Sequence, residues 1–244
     1  MSNKNISLTN DSIYSLFIKI AIPSSIGTIF QNLYSVVDSI FAGKMISDAA
    51  LAAIGQIFPI YFIIIALGVG LSIGTTSLIA NSIGENNLKN SGKIFTQSFI
   101  LSIIVALGVT IIGIYSSTSL IKFLNNDIKT LELSLKYIKI IFFGSIFIFI
   151  LMSINSSLSA QGDTKSYRNV LIFSFFLNIF LNPLFIWGYG FIPGFGIAGL
   201  AIATVISQLI GTIYLAYKVN DCKIREYLKL QCFIPKFEYL KPLT

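Results

Sequence analysis

Long apolar stretches alternate with short polar or glycine-rich turns along the chain. A helix needs about 20 predominantly apolar residues to cross a bilayer. Six stretches of about this length or longer can be counted, at residues 20–43, 57–79, 94–121, 140–160, 170–187 and 197–217. The pattern predicts an all-α membrane protein, a bundle of six transmembrane helices.

The polar segments at the two ends divide the chain into three parts. Residues 1–11 are a polar lead, residues 12–220 are the six-helix transmembrane lobe, and residues 221–244 are a basic, polar tail. Either Asp11 or Ser12 can cap the first helix. No short apolar core with a cleavage site precedes the first span, so we expect no removable signal peptide.

Several interior features predict where spans begin and turn. Pro59 is expected to bend or start the second span. Residues 122–132 form a charged loop, and Lys136 and Lys139 are expected to reach the membrane interface from the first turns of the next helix. Residues 188–196 contain four glycines and one proline, which predicts a loop between the fifth and sixth spans.

Composition supports a membrane protein and argues against several kinds of site. The chain is 55% hydrophobic and 11% charged, whereas soluble domains carry about 25% charged residues. Histidine is absent from the sequence, which argues against an embedded hydrolase or a zinc centre. Cys222 and Cys232 lie in the polar tail, where we expect reduced thiols on the cytoplasmic side and no structural metal.

The net charge of +7 is better explained by topology than by nucleic-acid binding. Six spans place both ends of the chain on one side of the membrane. Twelve lysines and arginines fall on that side and five on the other, so the positive-inside rule orients both termini to the cytoplasm. Without the tail the count is six against five, and the orientation therefore depends largely on the tail.

One acidic residue, Asp38, lies within an apolar span. A carboxylate at the bilayer centre costs at least about 2.5–3.5 kcal/mol, so such residues tend to face a cavity, a partner or an ion path. We therefore interpret Asp38 as a functional residue. The alternative is an aspartate at the end of the helix, just outside the membrane, because Gly43 and Lys44 follow within two turns.

Polar residues recur at helical spacing on three of the predicted spans. Three such stripes can converge on one water-containing cavity, because lipid leaves polar groups unsatisfied. The alternative is hydrogen bonding that only holds helices together, worth about 0.6 kcal/mol per pair. The three stripes are Gln31, Tyr34 and Ser35 beside Asp38 on the first span, Ser174, Asn178 and Asn182 on the fifth, and Thr204, Gln208 and Thr212 on the sixth.

The chemistry open to such a site is that of a coupling ion. A carboxylate held away from bulk water can exchange a proton or hold Na⁺ together with amide and hydroxyl oxygens. No Ser-His or Cys-His pair can form, and no phosphate-binding G-x-x-x-x-G-K motif occurs in the sequence. We therefore expect no enzyme and no cofactor other than a coupling ion, Na⁺ or H⁺.

Five ordered blocks of sequence resemble the amino-terminal half of the MATE (multidrug and toxic compound extrusion) transporters. The resemblance covers residues 12–220. The blocks are VDSIFAG from Val37, AALAAIG from Ala49, AQGDTK from Ala160, LNIFLNPLFI from Leu177 and GIAGLAIAT from Gly196. The resemblance implies one six-helix lobe of a twelve-helix antiporter that exports cationic or amphipathic compounds against a Na⁺ or H⁺ gradient.

The resemblance also implies a cation or proton site, and the polar stripes predict the residues that line the cavity beside it. Asp38, Asn178, Asn182 and Thr204 match the family's cation or proton site, and Gln31, Tyr34, Ser35, Ser174 and Gln208 are expected to line the cavity beside it. The expected location is a bacterial inner membrane, crossed several times. The expected partners are the lipid bilayer, small cationic or amphipathic substrates, and a second six-helix lobe or another copy of the chain, with no nucleic acid.

Two departures from the family pattern leave alternatives open. Many relatives carry aspartate where this chain has Asn182, so the site here holds one carboxylate instead of two. Only one lobe is present, and residues 221–244 resemble the start of a linker to a second lobe. The alternatives are a lipid-linked saccharide flippase, in which basic residues are expected to bind pyrophosphate, and a half-length fragment that does not transport.

Overall fold

The computed structural model describes residues 12–124 and 127–220. The predictions for the lead, the tail, its two cysteines and Asp11 lie outside these residues. The helices are α1 (Ile13–Leu16), α2 (Ile22–Met45), α3 (Asp48–Gly84), α4 (Leu88–Leu124), α5 (Ile128–Ala160), α6 (Lys165–Trp187) and α7 (Ile197–Val219), with a π-helical segment, Phe17–Ala21, between α1 and α2.

Six helical units in the described ranges are long and apolar enough to cross a membrane, which confirms the predicted bundle. The first unit, Ile13–Met45, consists of α1, the π-helical segment and α2. Of the two predicted caps, Ser12 lies within the described residues, and its hydroxyl accepts a hydrogen bond from the Ser15 amide at 3.3 Å. Pro23 follows the π-helical segment in the first turn of α2, where it lacks the amide hydrogen that would continue the helical hydrogen bonding.

Several helices extend well beyond the predicted spans. Both α3 and α4 have 37 residues, whereas about 20 suffice to cross a bilayer. Pro59 lies inside α3, so it does not start the helix, and the predicted bend at Pro59 stays a prediction. The true start is capped by Ser47, whose hydroxyl accepts a hydrogen bond from the Ala50 amide at 3.1 Å.

The fourth span begins three turns earlier than residue 140, because α5 starts at Ile128. Asp127 caps this helix, and its carboxylate accepts a hydrogen bond from the Thr130 amide at 2.9 Å. The hydrogen bonds from Thr130 also lower the pKa of Asp127, because they stabilise its ionised form. Lys136 lies on the exposed face of α5 and pairs with Glu132 at 2.8 Å, and its predicted position at the membrane interface stays a prediction.

A two-stranded hairpin replaces the loop predicted between the last two spans. Strand β1 (Gly188–Tyr189) pairs antiparallel with β2 (Ile192–Pro193), so that Gly188 lies opposite Pro193. Gly188 has a φ of 81°, and a Cβ there would lie 2.5 Å from the Ile192 carbonyl oxygen. The sequence signal for a turn was correct, but glycine and proline content alone does not reveal strand pairing.

Helix α5 lies at the centre of the bundle and packs against α3, α4 and α7. Its buried side chains, which include Ile138, Phe142 and Phe149, form most of the largest apolar core together with residues of α3 and α7. Outward-facing Phe62, Ile63 and their neighbours stay exposed. An exposed apolar belt of this kind suits contact with lipid tails.

Close packing of α6 and α7 predicts a specific cost for a single methyl group. A Cβ at Gly199 would meet the backbone carbonyl of Phe185, which cannot move away as a flexible side chain can. Gly199→Ala is therefore expected to lower the free energy of unfolding by about 1–3 kcal/mol. A Cβ at Gly70 has nothing within 4 Å, so Gly70→Ala is the control. Equal thermal stability of the two variants in detergent would contradict this account of the packing.

Candidate functional site

Asp38 is buried within the bundle, and uncharged side chains surround its carboxylate. Only 4% of its surface is exposed. It accepts hydrogen bonds from the Asn182 amide at 3.1 Å, the Thr204 hydroxyl at 3.1 Å and the Tyr137 hydroxyl at 3.4 Å. Asp38 lies seven residues before Met45, the last residue of α2, and its burial argues against the alternative of an aspartate at the end of the helix.

Asn178 and Asn182 form a second layer of hydrogen bonds on α6. They are four residues apart and therefore share one helix face. The Asn182 amide nitrogen donates to the Asn178 side-chain oxygen at 3.0 Å, and the Asn178 nitrogen donates to the Asn182 oxygen at 3.4 Å and to the Thr204 hydroxyl at 3.5 Å. Their exposed surface is 1% and 0%. Residues predicted on three separate spans thus meet in one network around Asp38.

Two tyrosines that sequence reasoning missed complete the surroundings of Asp38. Tyr137 on α5 donates to the carboxylate, and Tyr61 on α3 lies with Asp38 in the lining of a cleft between α2, α3 and α5. Tyr137 lies between Lys136 and Lys139, which placed it outside the predicted span. Helix α5 starts at Ile128, so Tyr137 is already two turns inside the helix. No polar stripe pointed to Tyr61, because its neighbours along α3 are apolar.

A cleft opens beside the carboxylate, between α2, α3 and α5. It gives Asp38 a face that the hydrogen-bond donors do not cover. Predicted residues Tyr34 and Ser35 lie in its wall, and the Tyr34 hydroxyl also donates to the Thr204 carbonyl at 3.5 Å. The side chains lining the cleft are Tyr34, Ser35, Asp38, Ile54, Ile57, Phe58, Tyr61 and Tyr137.

The other predicted cavity residues lie outside the lining of this cleft. Ser174 donates to the Ser207 carbonyl at 3.2 Å and so links α6 to α7. Gln208 donates to the Tyr61 hydroxyl at 3.4 Å, directly behind the cleft wall. Gln31 is half-buried on α2. A direct role of these three residues in binding stays a prediction.

The arrangement can accommodate Asp38 in either charge state. Ionised, the carboxylate accepts all three hydrogen bonds. Protonated, it can donate to the Thr204 or Tyr137 oxygen, because a hydroxyl group donates or accepts by rotating its hydrogen. A metal cation instead needs oxygen ligands, so the Asn182 amide would have to turn its oxygen towards Asp38. The donor set, one carboxylate with amide and hydroxyl oxygens, fits Na⁺ in kind.

Comparison with known proteins places this geometry in a family. The MatE family model matches residues 23–184. The chain is 28% identical over 228 residues to the "Probable multidrug resistance protein YoeA" of Bacillus subtilis (strain 168), covering 88% of this chain and 48% of that protein. It is 29% identical to the "Probable multidrug resistance protein NorM" of Thermotoga maritima, covering 86% of this chain and 46% of that protein.

Solved structures show the same relation. A crystal structure described as "MATE in the bent conformation" superposes with a TM-score of 0.88 at 30% identity, covering 100% of this chain and 53% of that one. The chain therefore spans about half the length of the relatives that it matches. All residues of the network around Asp38 lie in the part of this chain that matches the solved structure.

Proposed function

Because the chain belongs to the MatE family of transporters, we propose that it acts as the amino-terminal six-helix lobe of a cation-coupled antiporter. Its substrates would be drugs or other cationic or amphipathic compounds. Its coupling ion would be H⁺ or Na⁺, bound at Asp38 with Asn178, Asn182 and Thr204. The lobe would lie in a bacterial inner membrane, with both termini in the cytoplasm.

The observation that carries this proposal is the environment of Asp38. An ionised carboxylate in a bundle core is costly without a counter-charge, yet the three groups that donate to Asp38 are uncharged. A bound cation or a proton would remove that cost. Asp38 is therefore suited to bind and release a positive charge, which is the property that a coupling residue needs.

Ion binding can drive transport if the two charge states favour different packings of the lobe. A ligand shifts a conformational equilibrium only through its different affinity for the two states. Neutralising Asp38 weakens its attraction for the donors on α5, α6 and α7 and so changes the balance of forces between four helices. In this proposal, a local charge event at Asp38 biases the lobe between two packings.

The cleft has the chemistry of an organic-cation site. Tyr34, Tyr61, Tyr137 and Phe58 surround the approach to Asp38, and aromatic faces attract organic ammonium groups. A flippase for pyrophosphate-linked saccharides is expected to use basic residues. In the part of the chain that the structure describes, the cleft lining contains one acid and no lysine or arginine, which favours the exporter.

The proposed partner is a second six-helix lobe, or another copy of the chain in its place. The test is efflux of the fluorescent cation ethidium from cells that express the chain alone or together with a second lobe of the same family. Efflux is expected with the second lobe present. Absence of efflux with both lobes at normal membrane abundance would contradict the proposed function, whereas efflux by the chain alone would identify another copy as the partner.

A further inference from the structure

Two buried oxygen atoms on α7 have no hydrogen-bond partner in the structure. They are the Ser207 hydroxyl oxygen and the Gln208 side-chain amide oxygen. Ser207 is 0% exposed. An unsatisfied buried polar group typically costs about 1–3 kcal/mol. Both atoms lie one helical turn beyond Thr204, a residue that contacts Asp38, and the proposed ion site does not use either of them.

Each of these side chains lies beside one of the cleft tyrosines. The Gln208 amide nitrogen donates to the Tyr61 hydroxyl at 3.4 Å. Ser207 lies close to the Tyr34 hydroxyl without meeting the geometry of a hydrogen bond. Tyr34 and Tyr61 both line the cleft that contains Asp38. The two unsatisfied oxygens therefore lie directly behind the cleft, on its α7 side.

The donors and acceptors here match the capacity of water. The Tyr61 oxygen accepts from Gln208, so its own hydrogen is free to donate elsewhere. The Gln208 oxygen can only accept, and the Ser207 hydroxyl can do both. A buried water usually makes about three hydrogen bonds to such groups. A water beside Tyr61 can thus accept from the Tyr61 hydroxyl and donate to the Gln208 oxygen, and a water beside Tyr34 can pair with the Ser207 hydroxyl.

We propose that Tyr34, Tyr61, Ser207 and Gln208 hold ordered water behind Asp38, and that this water is the route by which a proton reaches or leaves the carboxyl group. The role of the water rests on the proposed function, but its binding does not. On release, the O–H bond of the Asp38 carboxyl breaks and a water oxygen accepts the proton. No electron is transferred.

The position of this water fits a path to one side of the membrane. Ser207 and Gln208 follow Thr204 by three and four residues on α7, in the direction of Val219. By the proposed topology that end of α7 is cytoplasmic. The ionisable groups beside Asp38 in the cleft are Tyr34 on its own helix, Tyr61 on α3 and Tyr137 on α5, and none of them carries a competing positive charge. Gln208 is then a positioning residue for proton exchange.

Radiolytic footprinting of the unmodified chain tests the bound water directly. Hydroxyl radicals formed from a bound water oxidise the side chain beside it. We expect Tyr34 and Tyr61 to be oxidised several-fold faster than Tyr167, which packs against an apolar cluster. After rapid mixing into isotope-labelled water, the oxidised tyrosines should at first carry unlabelled oxygen. Immediate incorporation of the label would identify bulk water in the cleft and overturn the proposal.

A cysteine scan gives an independent test. In a chain with Cys222→Ser and Cys232→Ser, the thiol of Ser207→Cys is expected to react with methanethiosulfonate ethylammonium at least about tenfold faster than that of Ala203→Cys, because only a hydrated thiol ionises readily. Adding Gln208→Met, which keeps the side-chain length, should remove the difference. Adding Thr212→Val should leave it.

The outcomes separate this inference from the proposed function. Equal reactivity of the two cysteines in folded protein would overturn the bound water even if efflux depends on Asp38. If Ser207→Cys does not fold, the footprinting result decides alone. A reactive Ser207→Cys in a chain whose efflux does not depend on Asp38 would keep the water and reject the ion site.

Proton uptake by detergent-solubilised protein after a pH jump should be about tenfold slower in Gln208→Met.

Discussion

Replacing Asp38 with asparagine is expected to abolish the dependence of the chain's thermal stability on its coupling ion. A ligand at a hundredfold excess over its dissociation constant stabilises the folded state by about 2.7 kcal/mol. Asparagine keeps the size of the side chain but cannot be neutralised by an ion or a proton. The variant should also be at least as stable as the ion-free wild type, because a buried charge is replaced by a neutral group.

The measurement is the unfolding temperature in detergent, with Na⁺ titrated at constant pH and with pH varied in the absence of Na⁺. The ion to which the wild type responds identifies the coupling ion. Asp48→Asn is the matched control, because it makes the same change at an exposed carboxylate in the first turn of α3. An Asp38→Asn variant that keeps the full ion response would exclude Asp38 as the binding residue.

Replacing Asn182 with leucine is expected to be the most destabilising single change at the site. Leucine has a similar shape, so the substitution leaves little cavity, but it removes the donor at 3.1 Å from Asp38 and both hydrogen bonds with Asn178. Leaving buried polar partners unsatisfied costs about 1–3 kcal/mol and more for a charged group. We expect a loss of about 2–4 kcal/mol in the free energy of unfolding.

A double-mutant cycle distinguishes this electrostatic cost from general damage. In an Asp38→Asn background the charge is gone, so the cost of Asn182→Leu should fall by about 1 kcal/mol or more. Asn32→Leu, at an exposed position on α2, is the control and should change stability little. Additive effects of the two substitutions at the site would show that Asn182 does not stabilise the Asp38 charge.

The architecture could be predicted from the sequence because the bilayer imposes it. Apolar stretches must be helices long enough to cross, and the predicted bundle of six is confirmed. Helix ends could not be predicted so well, because they depend on local capping by side chains such as Ser47 and Asp127. These caps lie in polar segments, where hydropathy carries no signal.

The site could be predicted only in part. Asp38, Asn178 and Asn182 stood out because polar residues are rare in spans and share helix faces. Thr204 was added by the family resemblance, and the structure brings all four together. Tyr61 and Tyr137 were missed because a tyrosine is amphipathic and is ordinary in either a core or an interface. Only the packing of α3 and α5 against α2 shows that both tyrosines line the cleft beside Asp38 and that the Tyr137 hydroxyl donates to its carboxylate.

Residue spacing also could not distinguish polar residues that only link two helices from those that form the site. Ser174 belongs to the same stripe as Asn178 and Asn182, yet its hydroxyl bonds to the Ser207 carbonyl and links two helices. Ser174, which links two helices, lies only one helical turn before Asn178, which belongs to the network around Asp38. The difference lies in what the neighbouring helix presents, and a single sequence does not specify that.

Gradient-driven transport tests the central claim most directly. The chain is reconstituted in proteoliposomes with a second lobe of its family, and uptake of ethidium is followed after a pH gradient or a Na⁺ gradient is imposed. The account predicts accumulation by the wild type under one of the two gradients and none by Asp38→Asn at equal protein content. Accumulation by Asp38→Asn at the wild-type rate under the same gradient would contradict it.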